Sequence, residues 1–168
     1  MSQVAIFIGS ISDEDKMRPC SQVLEKLGIP HRFTVTSAHR TPERTHDLVR
    51  ELEQAGCQVF ICAAGLAAHL AGAVAAKTVK PVLGVPLAAS PLGGMDALLA
   101  TVQMPPGYPV GTLALDAVGA KNAAWLAAQI LALKDDVLAR KIQDARLAMK
   151  EDVVLAASRL ESEGPGTS

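Results

Sequence analysis

The sequence predicts a three-layer α/β/α domain with a parallel, flavodoxin-like sheet of about five strands and a long C-terminal helix. Three observations predict it. Short branched-apolar runs recur along the chain and read as buried strands. Amphipathic stretches of about ten to fifteen residues separate them, the spacing of βαβ units. The chain has 168 residues, 49% hydrophobic and 20% charged, which suits one packed domain and argues against disorder.

The elements follow in order. Val4 to Ile8 is a strand ended by Gly9. Asp13 to Leu27 has helical spacing, with Met17, Cys20, Val23, Leu24 and Leu27 on one face, and Gly28 and Pro30 stop it. His31 to Thr36 is the second strand. Thr41, Pro42 and Glu43 read as N-cap, first-turn proline and first-turn acid of a helix that runs to about Ala55. Gln58 to Ala63 is the third strand and Leu66 to Ala76 an alanine-rich helix. Pro81 to Pro86 is the fourth strand, a short helix runs from Gly93-Gly94 to about Ala100, and Val110 to Leu115 is the fifth strand. Ala117 to Leu133 is a strongly apolar helix.

The last segment, Asp135 to Leu160, carries one apolar stripe of Leu138, Ile142, Ala145, Met149, Val153, Ala156 and Leu160. A helix of that length outruns a five-stranded domain. It either bends over its own domain or embraces a neighbouring subunit. The preceding helix is apolar nearly all round, which favours the neighbour, because a monomer's surface helix should have a polar face. Residues 1–163 are expected to form one domain and 164–168 a flexible tail.

Composition removes several functions. One Trp, one Tyr and three Phe leave little to stack on bases, and a formal net charge of -1 gives no basic footprint, so no nucleic acid is expected as partner. Cys20, Cys57 and Cys62 show no CxxC spacing and no disulfide framework, which suits a reducing, cytoplasmic location. No signal peptide or uninterrupted membrane span is visible, and no cluster has metal-ligand spacing. The apolar content is instead small and smooth: 28 Ala and 13 Gly.

In a parallel α/β sheet, ligands bind beyond the carboxyl ends of the strands. After strand one, Gly9-Ser10-Ile11-Ser12-Asp13 opens a helix whose free N–H groups favour an anion, with Ser10 and Ser12 adding hydroxyls. Asp13 reads either as a helix cap or as a partner for a ribose diol. After strand two, Ser37-Ala38-His39-Arg40 puts a proton-transferring side chain beside a fixed fork for phosphate. After strand three, His69 stands among small residues, which suits backbone contact with a flat ring; a buried structural histidine is the other reading. His31 and His46 read as surface residues. These groups support a phosphate-bearing small molecule, a nucleotide by preference, with proton transfer by His39. They do not fix the reaction.

The motifs resemble the PurE family, the N5-carboxyaminoimidazole ribonucleotide mutases of de novo purine synthesis. The matching pieces are Gly9-Ser10-x-Ser12-Asp13, Ser37-Ala38-His39-Arg40-Thr41-Pro42, Ala67-Ala68-His69-Leu70, Val82-Leu83-Gly84-Val85-Pro86, Val102-Gln103-Met104-Pro105 and Pro109-Val110-Gly111-Thr112-Leu113-Ala114. The resemblance implies that His39 is the general acid and base. It implies that Ser10, Ser12, Ser37 and Arg40 hold the substrate phosphate, that Asp13 holds the ribose hydroxyls, and that Gly65, Ala68, His69 and Leu70 border the aminoimidazole and its carboxylate. It further implies a homo-octamer with sites at subunit junctions, and transfer of a carboxylate from N5 to C4 without ATP, metal or organic cofactor. The sister class, which carboxylates aminoimidazole ribonucleotide directly, usually has Lys after the catalytic His and lacks the second His, so Arg40 and His69 favour the mutase. A non-catalytic nucleotide-binding module is the more distant alternative. The chain departs from the family's usual pattern at Leu66, which stands where glycine is usual, at Ala71, where proline is usual, and in the loop from Ala88 to Gly94.

Overall fold

Strand alternation decides the architecture. In β1 (Val4–Ile8) every side chain is buried, and odd and even positions point to opposite faces. Val4, Ile6 and Ile8 pack on one side of the sheet with Val59, Ile61, Ala63, Leu83, Val85 and Leu87. Ala5 and Phe7 pack on the other with Phe60, Cys62 and Val82. A strand apolar on both faces belongs inside a three-layer sandwich, and this one is.

The computed structural model describes residues 2–162. After β1 come α1 (Glu14–Leu27), β2 (His31–Val35), α2 (Pro42–Gln54), β3 (Val59–Gly65), α3 (Leu70–Ala75), β4 (Val82–Leu87), α4 (Met95–Val102), β5 (Gly111–Thr112), α5 (Asp116–Ala132) and α6 (Asp136–Ser162). The sheet order is β2-β1-β3-β4-β5, all parallel. Ile8 lies level with Val35 on one side and Ala63 on the other, so the loops after β1, β2 and β3 leave the sheet together. This is where strand order reverses direction, and where such sheets hold ligands.

Helices α1 and α5 and the start of α6 cover the first face, and α2 and α3 the second. The α1 helix stops at Gly28, whose φ of +74° is left-handed, and the N–H of Ile29 returns to the Leu24 carbonyl at 2.9 Å.

Four expectations change. Helix α3 begins at Leu70, not Leu66, because β3 runs on to Gly65 and Leu66 takes φ +57°, which a right-handed helix excludes. That backbone costs a leucine roughly 1–2 kcal/mol. Strand β5 shrinks to Gly111–Thr112: Pro109 supplies no N–H before it, and Asp116, at φ +52°, turns the chain into α5 soon after. The apolar α5 finds its cover inside the chain, with Ala120, Ala123, Ala124, Ala127 and Ala128 fully buried in the first-face core. Those small side chains let α1 and α5 approach closely, so the composition of α5 does not itself call for a neighbour. His31 is half-buried rather than at the surface, its Nε2 2.6 Å from Ser21 Oγ and its Nδ1 3.1 Å from the Ile29 carbonyl.

The long helix is a different case. Only Leu138 and Ile142 of α6 are buried; further along, Met149, Val153 and Leu160 face solvent, the last two 69% and 67% exposed. The expected tail at 164–168, and residue 163 before it, lie outside the described residues. Among the described residues no helix is long and apolar enough to cross a membrane.

Candidate active site

At the carboxyl edge of the sheet the loops after β1, β2, β3 and β4 enclose a cleft of about 480 Å³. Gly9, Ser10, Ser12 and Asp13 line it from the first loop, Ser37, Ala38, His39 and Arg40 from the second. Ala64, Gly65, Leu66, Ala67, His69 and Leu70 line it from the third, and Ala89 from the fourth.

The first loop is a small turn folded on itself. Ser10 Oγ accepts the Ser12 N–H at 3.4 Å and lies 2.9 Å from Ser12 Oγ, while Asp13 Oδ2 accepts the Ser10 N–H at 3.1 Å. Ser10 is thus the cap of this turn and Asp13 its reciprocal partner; the Asp13 side chain makes no capping bond to α1, against the cap reading, and its other oxygen takes no part in the bond to Ser10. Burial raises the Asp13 carboxyl above its ordinary value of 3.8; the Ser10 N–H and the positive Lys16 oppose the rise.

The second loop is held from below by hydroxyls. Thr41 Oγ1 accepts the Ser37 N–H at 2.9 Å, and Thr36 Oγ1 lies 2.8 Å from Thr45 Oγ1 in the core. Ser37 Oγ accepts the Arg40 N–H at 3.2 Å. Arg40 reaches back across the cleft, and its Nη2 donates to the Gly9 carbonyl at 3.1 Å. The loops after β1 and β2 are thus tied by one guanidinium, which keeps further N–H donors for a ligand.

The third loop brings His69 to His39. Their rings meet edge to face, with His39 Nε2 2.8 Å from His69 Nδ1. One nitrogen donates and the other accepts, and both rings are exposed to the cleft. Gly65 is required by closeness: a Cβ there would sit 2.6 Å from Ala89 Cβ and 3.1 Å from the Leu87 carbonyl.

The fourth loop is gripped through its backbone. Lys16 Nζ donates to the Ala88 carbonyl at 2.7 Å and pairs with Asp116 Oδ1 at 2.9 Å. The same Asp116 oxygen accepts the Ala88 N–H at 3.0 Å. Both Ala88 backbone groups are satisfied by a pair of charges from α1 and α5, and Ala89 is thereby set against Gly65.

Nine of the ten residues singled out in the sequence meet at this cleft: Ser10, Ser12, Asp13, Ser37, His39, Arg40, Gly65, His69 and Leu70. Ala68 does not; it is buried, and Ala67 lines the cleft in its place. Sequence reasoning missed Ala89, Lys16 and Asp116. An aspartate in left-handed backbone leaves no mark in a sequence, and Lys16 reads there as an ordinary helix-face cation.

A larger cavity, about 940 Å³, lies at the opposite edge, by the starts of β4 and β5. Its carboxylate, Glu53, accepts from Thr78 Oγ1 at 2.6 Å, and none of the residues singled out in the sequence lines it. The thiols of Cys20 and Cys57 are pushed up by burial, to about 12 and about 11, and that of Cys62 higher still; none is poised as a nucleophile. Among the described residues no group of three or more His, Cys, Asp or Glu is placed to hold a metal ion.

Fold and cleft define a flavodoxin-like α/β protein with a hydrogen-bonded histidine pair in a cleft at the carboxyl edge of its sheet. The chain belongs to the AIR carboxylase family, whose model matches residues 3–152. It is 48% identical over 153 residues to the N5-carboxyaminoimidazole ribonucleotide mutase of Escherichia coli, covering 91% of this chain and 90% of that protein. It is 45% identical over 164 residues to the mutase of the same name from Thermotoga maritima, covering 98% and 95%. A crystal structure of Treponema denticola PurE superposes with a TM-score of 0.81 at 26% identity, covering 94% of this chain and 97% of that one.

Proposed function

We propose that the protein is an isomerase that moves the carboxylate of N5-carboxyaminoimidazole ribonucleotide from N5 to C4. The observation that carries this reading is the His39–His69 pair, set at 2.8 Å between two loops suited to a phosphate, in a chain of this family. The relatives named as mutases at 45–48% identity support it, and do not favour direct carboxylation.

In the proposed chemistry His39, as imidazolium, protonates N5. The bond from N5 to the carboxyl carbon breaks, its electron pair stays on nitrogen, and carbon dioxide is released in the cleft. The aminoimidazole left behind is an enamine, nucleophilic at C4. C4 attacks the trapped carbon dioxide at high effective concentration, and neutral His39 then takes the C4 proton. Ser10, Ser12, Ser37 and Arg40 hold the phosphate, and Asp13 the ribose. Gly65, His69 and Leu70 border the ring and its carboxylate. The exposed stripe of α6 supports assembly with further copies, an octamer with sites at subunit junctions, in the cytoplasm.

The test is to give purified protein each substrate separately. N5-carboxyaminoimidazole ribonucleotide should convert to the C4 carboxylate without ATP, and His39→Asn should abolish conversion while nucleotide binding remains. Turnover only of aminoimidazole ribonucleotide with bicarbonate would replace the reading with direct carboxylation; nucleotide binding without turnover of either would leave a binding module.

A further inference from the structure

The His39–His69 pair has a second capability, set by how little else holds the two rings. Their facing nitrogens lie 2.8 Å apart, the ring centroids 4.9 Å apart, and the ring planes cross at 77°. Both rings are exposed to the cleft, and among the described residues neither makes another side-chain hydrogen bond. Each is held by the other alone and can turn about its terminal side-chain torsion at little cost. Two neutral imidazoles that can aim a lone pair each at one point form a chelate for a borderline-soft cation.

We propose that the pair is a chelating site for a first-row transition-metal ion of the zinc type, and that an ion bound there silences the cleft. Zinc–nitrogen bonds of about 2.0–2.1 Å at a tetrahedral angle place two nitrogens about 3.3 Å apart, so the pair opens by only about 0.5 Å. Each ring also turns by roughly 35°, because lone pairs that share one line in the hydrogen bond must converge on the ion. The hydrogen between the rings passes to the outer nitrogen of the ring that carries it, so both facing nitrogens become ligands and no net proton is lost. Asp13 lines the same cleft, yet among the described residues no third His, Cys, Asp or Glu is placed to join the two rings, and water completes the shell. Two protein ligands beside the cationic Arg40 make a reversible site rather than a permanent one. A bound ion takes one of the two nitrogens of His39 and pins its ring, which stops that residue acting as acid and base in turn. The inhibition rests on the mutase reading; the binding does not.

The probe is zinc chloride in phosphate-free buffer, titrated against a chromophoric chelator that competes for the ion. Wild type should bind zinc, and magnesium, which prefers oxygen ligands, should not compete. His39→Asn and His69→Asn should each weaken binding about tenfold or more, because a single ring loses the chelate. His46→Asn, at an exposed position outside the cleft, should leave the affinity unchanged. Circular dichroism checks that each variant is folded, and His69→Gln is a second variant at the same position. Zinc should inhibit wild-type turnover over the range in which it binds, with recovery on adding EDTA. The residual turnover of His69→Asn should need about tenfold more zinc for the same inhibition. Equal affinity in wild type and the single variants of the pair, or an equal loss in His46→Asn, would overturn the site. Zinc held by both rings with turnover unchanged would overturn the inhibition. Wild type that binds zinc through the pair but converts no N5-carboxyaminoimidazole ribonucleotide would instead sink the mutase reading and leave the binding site standing.

Discussion

His39 Nε2 lies 2.8 Å from His69 Nδ1, although 30 positions separate the residues in the chain. The bond holds a single hydrogen between the rings. A proton on each facing nitrogen would make the contact repulsive, so each ring fixes what its partner can carry there. His69 is in this sense a positioning residue for His39. Replacing His69 with Asn should lower kcat about tenfold or more with little change in KM, and should change the pH–rate profile. Steady-state kinetics across pH checks both, and an unaltered profile would deny the partnership.

Arg40 spends Nη2 on the Gly9 carbonyl and keeps other donors for a phosphate. A charge-assisted bond is worth about 1.5–3 kcal/mol, so Arg40→Ala should raise KM by roughly one to two orders of magnitude with a smaller effect on kcat. Arg40→Lys should recover only part, since an ammonium lacks the planar fork. Calorimetric titration with a nucleotide monophosphate analogue gives the same comparison without turnover.

The Lys16–Asp116 pair separates strain from contact. Asp116→Ala keeps the left-handed backbone at φ +52° and strands the Ala88 N–H and Lys16, so it should cost about 1–3 kcal/mol in urea denaturation. Asp116→Gly loses the same contacts but relieves about 1–2 kcal/mol of strain, and should come out much closer to wild type. Both should weaken substrate binding, because the loop bearing Ala89 is released in each.

Asp13 gives a pH signature. Its folded carboxyl lies above the unfolded value of 3.8, so the folded state binds the proton more tightly. Its contribution therefore favours folding at low pH and is lost as pH rises from about 3.8 through the raised folded value. Asp13→Asn removes this term. Its stability relative to wild type should increase across that window and stay level above it, as read from denaturation midpoints at a series of pH values.

The α6 stripe tests assembly. Met149→Glu with Val153→Glu places charge on exposed apolar positions that do not touch the core of their own chain. The pair should leave the protomer's fold intact by circular dichroism and shift the sedimentation profile to smaller species.

Much of this was legible in the sequence, for a physical reason. Strands such as Val4 to Ile8 and caps such as Thr41-Pro42 are local signals, and the carboxyl-edge rule then gathers their loops into one place. Local signals failed where tertiary contact overrode them. Leu66 reads as helix by composition, yet β3 runs up to Gly65 and Leu66, just beyond it, takes left-handed backbone. The residues Asp116 and Lys16 acquire meaning only through Ala88, and no spacing in the chain relates 16, 88 and 116. Alanine-rich α5 reads as an interface helix because a sequence does not show that α1 will cover it.

The grip on the fourth loop has a bearing on how such a site drifts. Lys16 and Asp116 hold the carbonyl and N–H of Ala88, atoms that nearly every residue type possesses. The position of the loop's first residue is thus encoded outside the loop, in α1 and α5, and not in the side chain at 88. A lineage can change the side chain at 88 and keep the start of this wall where it was, provided the distant pair of charges is inherited together, whereas Gly94, at φ +88° with Leu115 Cδ2 crowding the place where a Cβ would stand, has no such freedom.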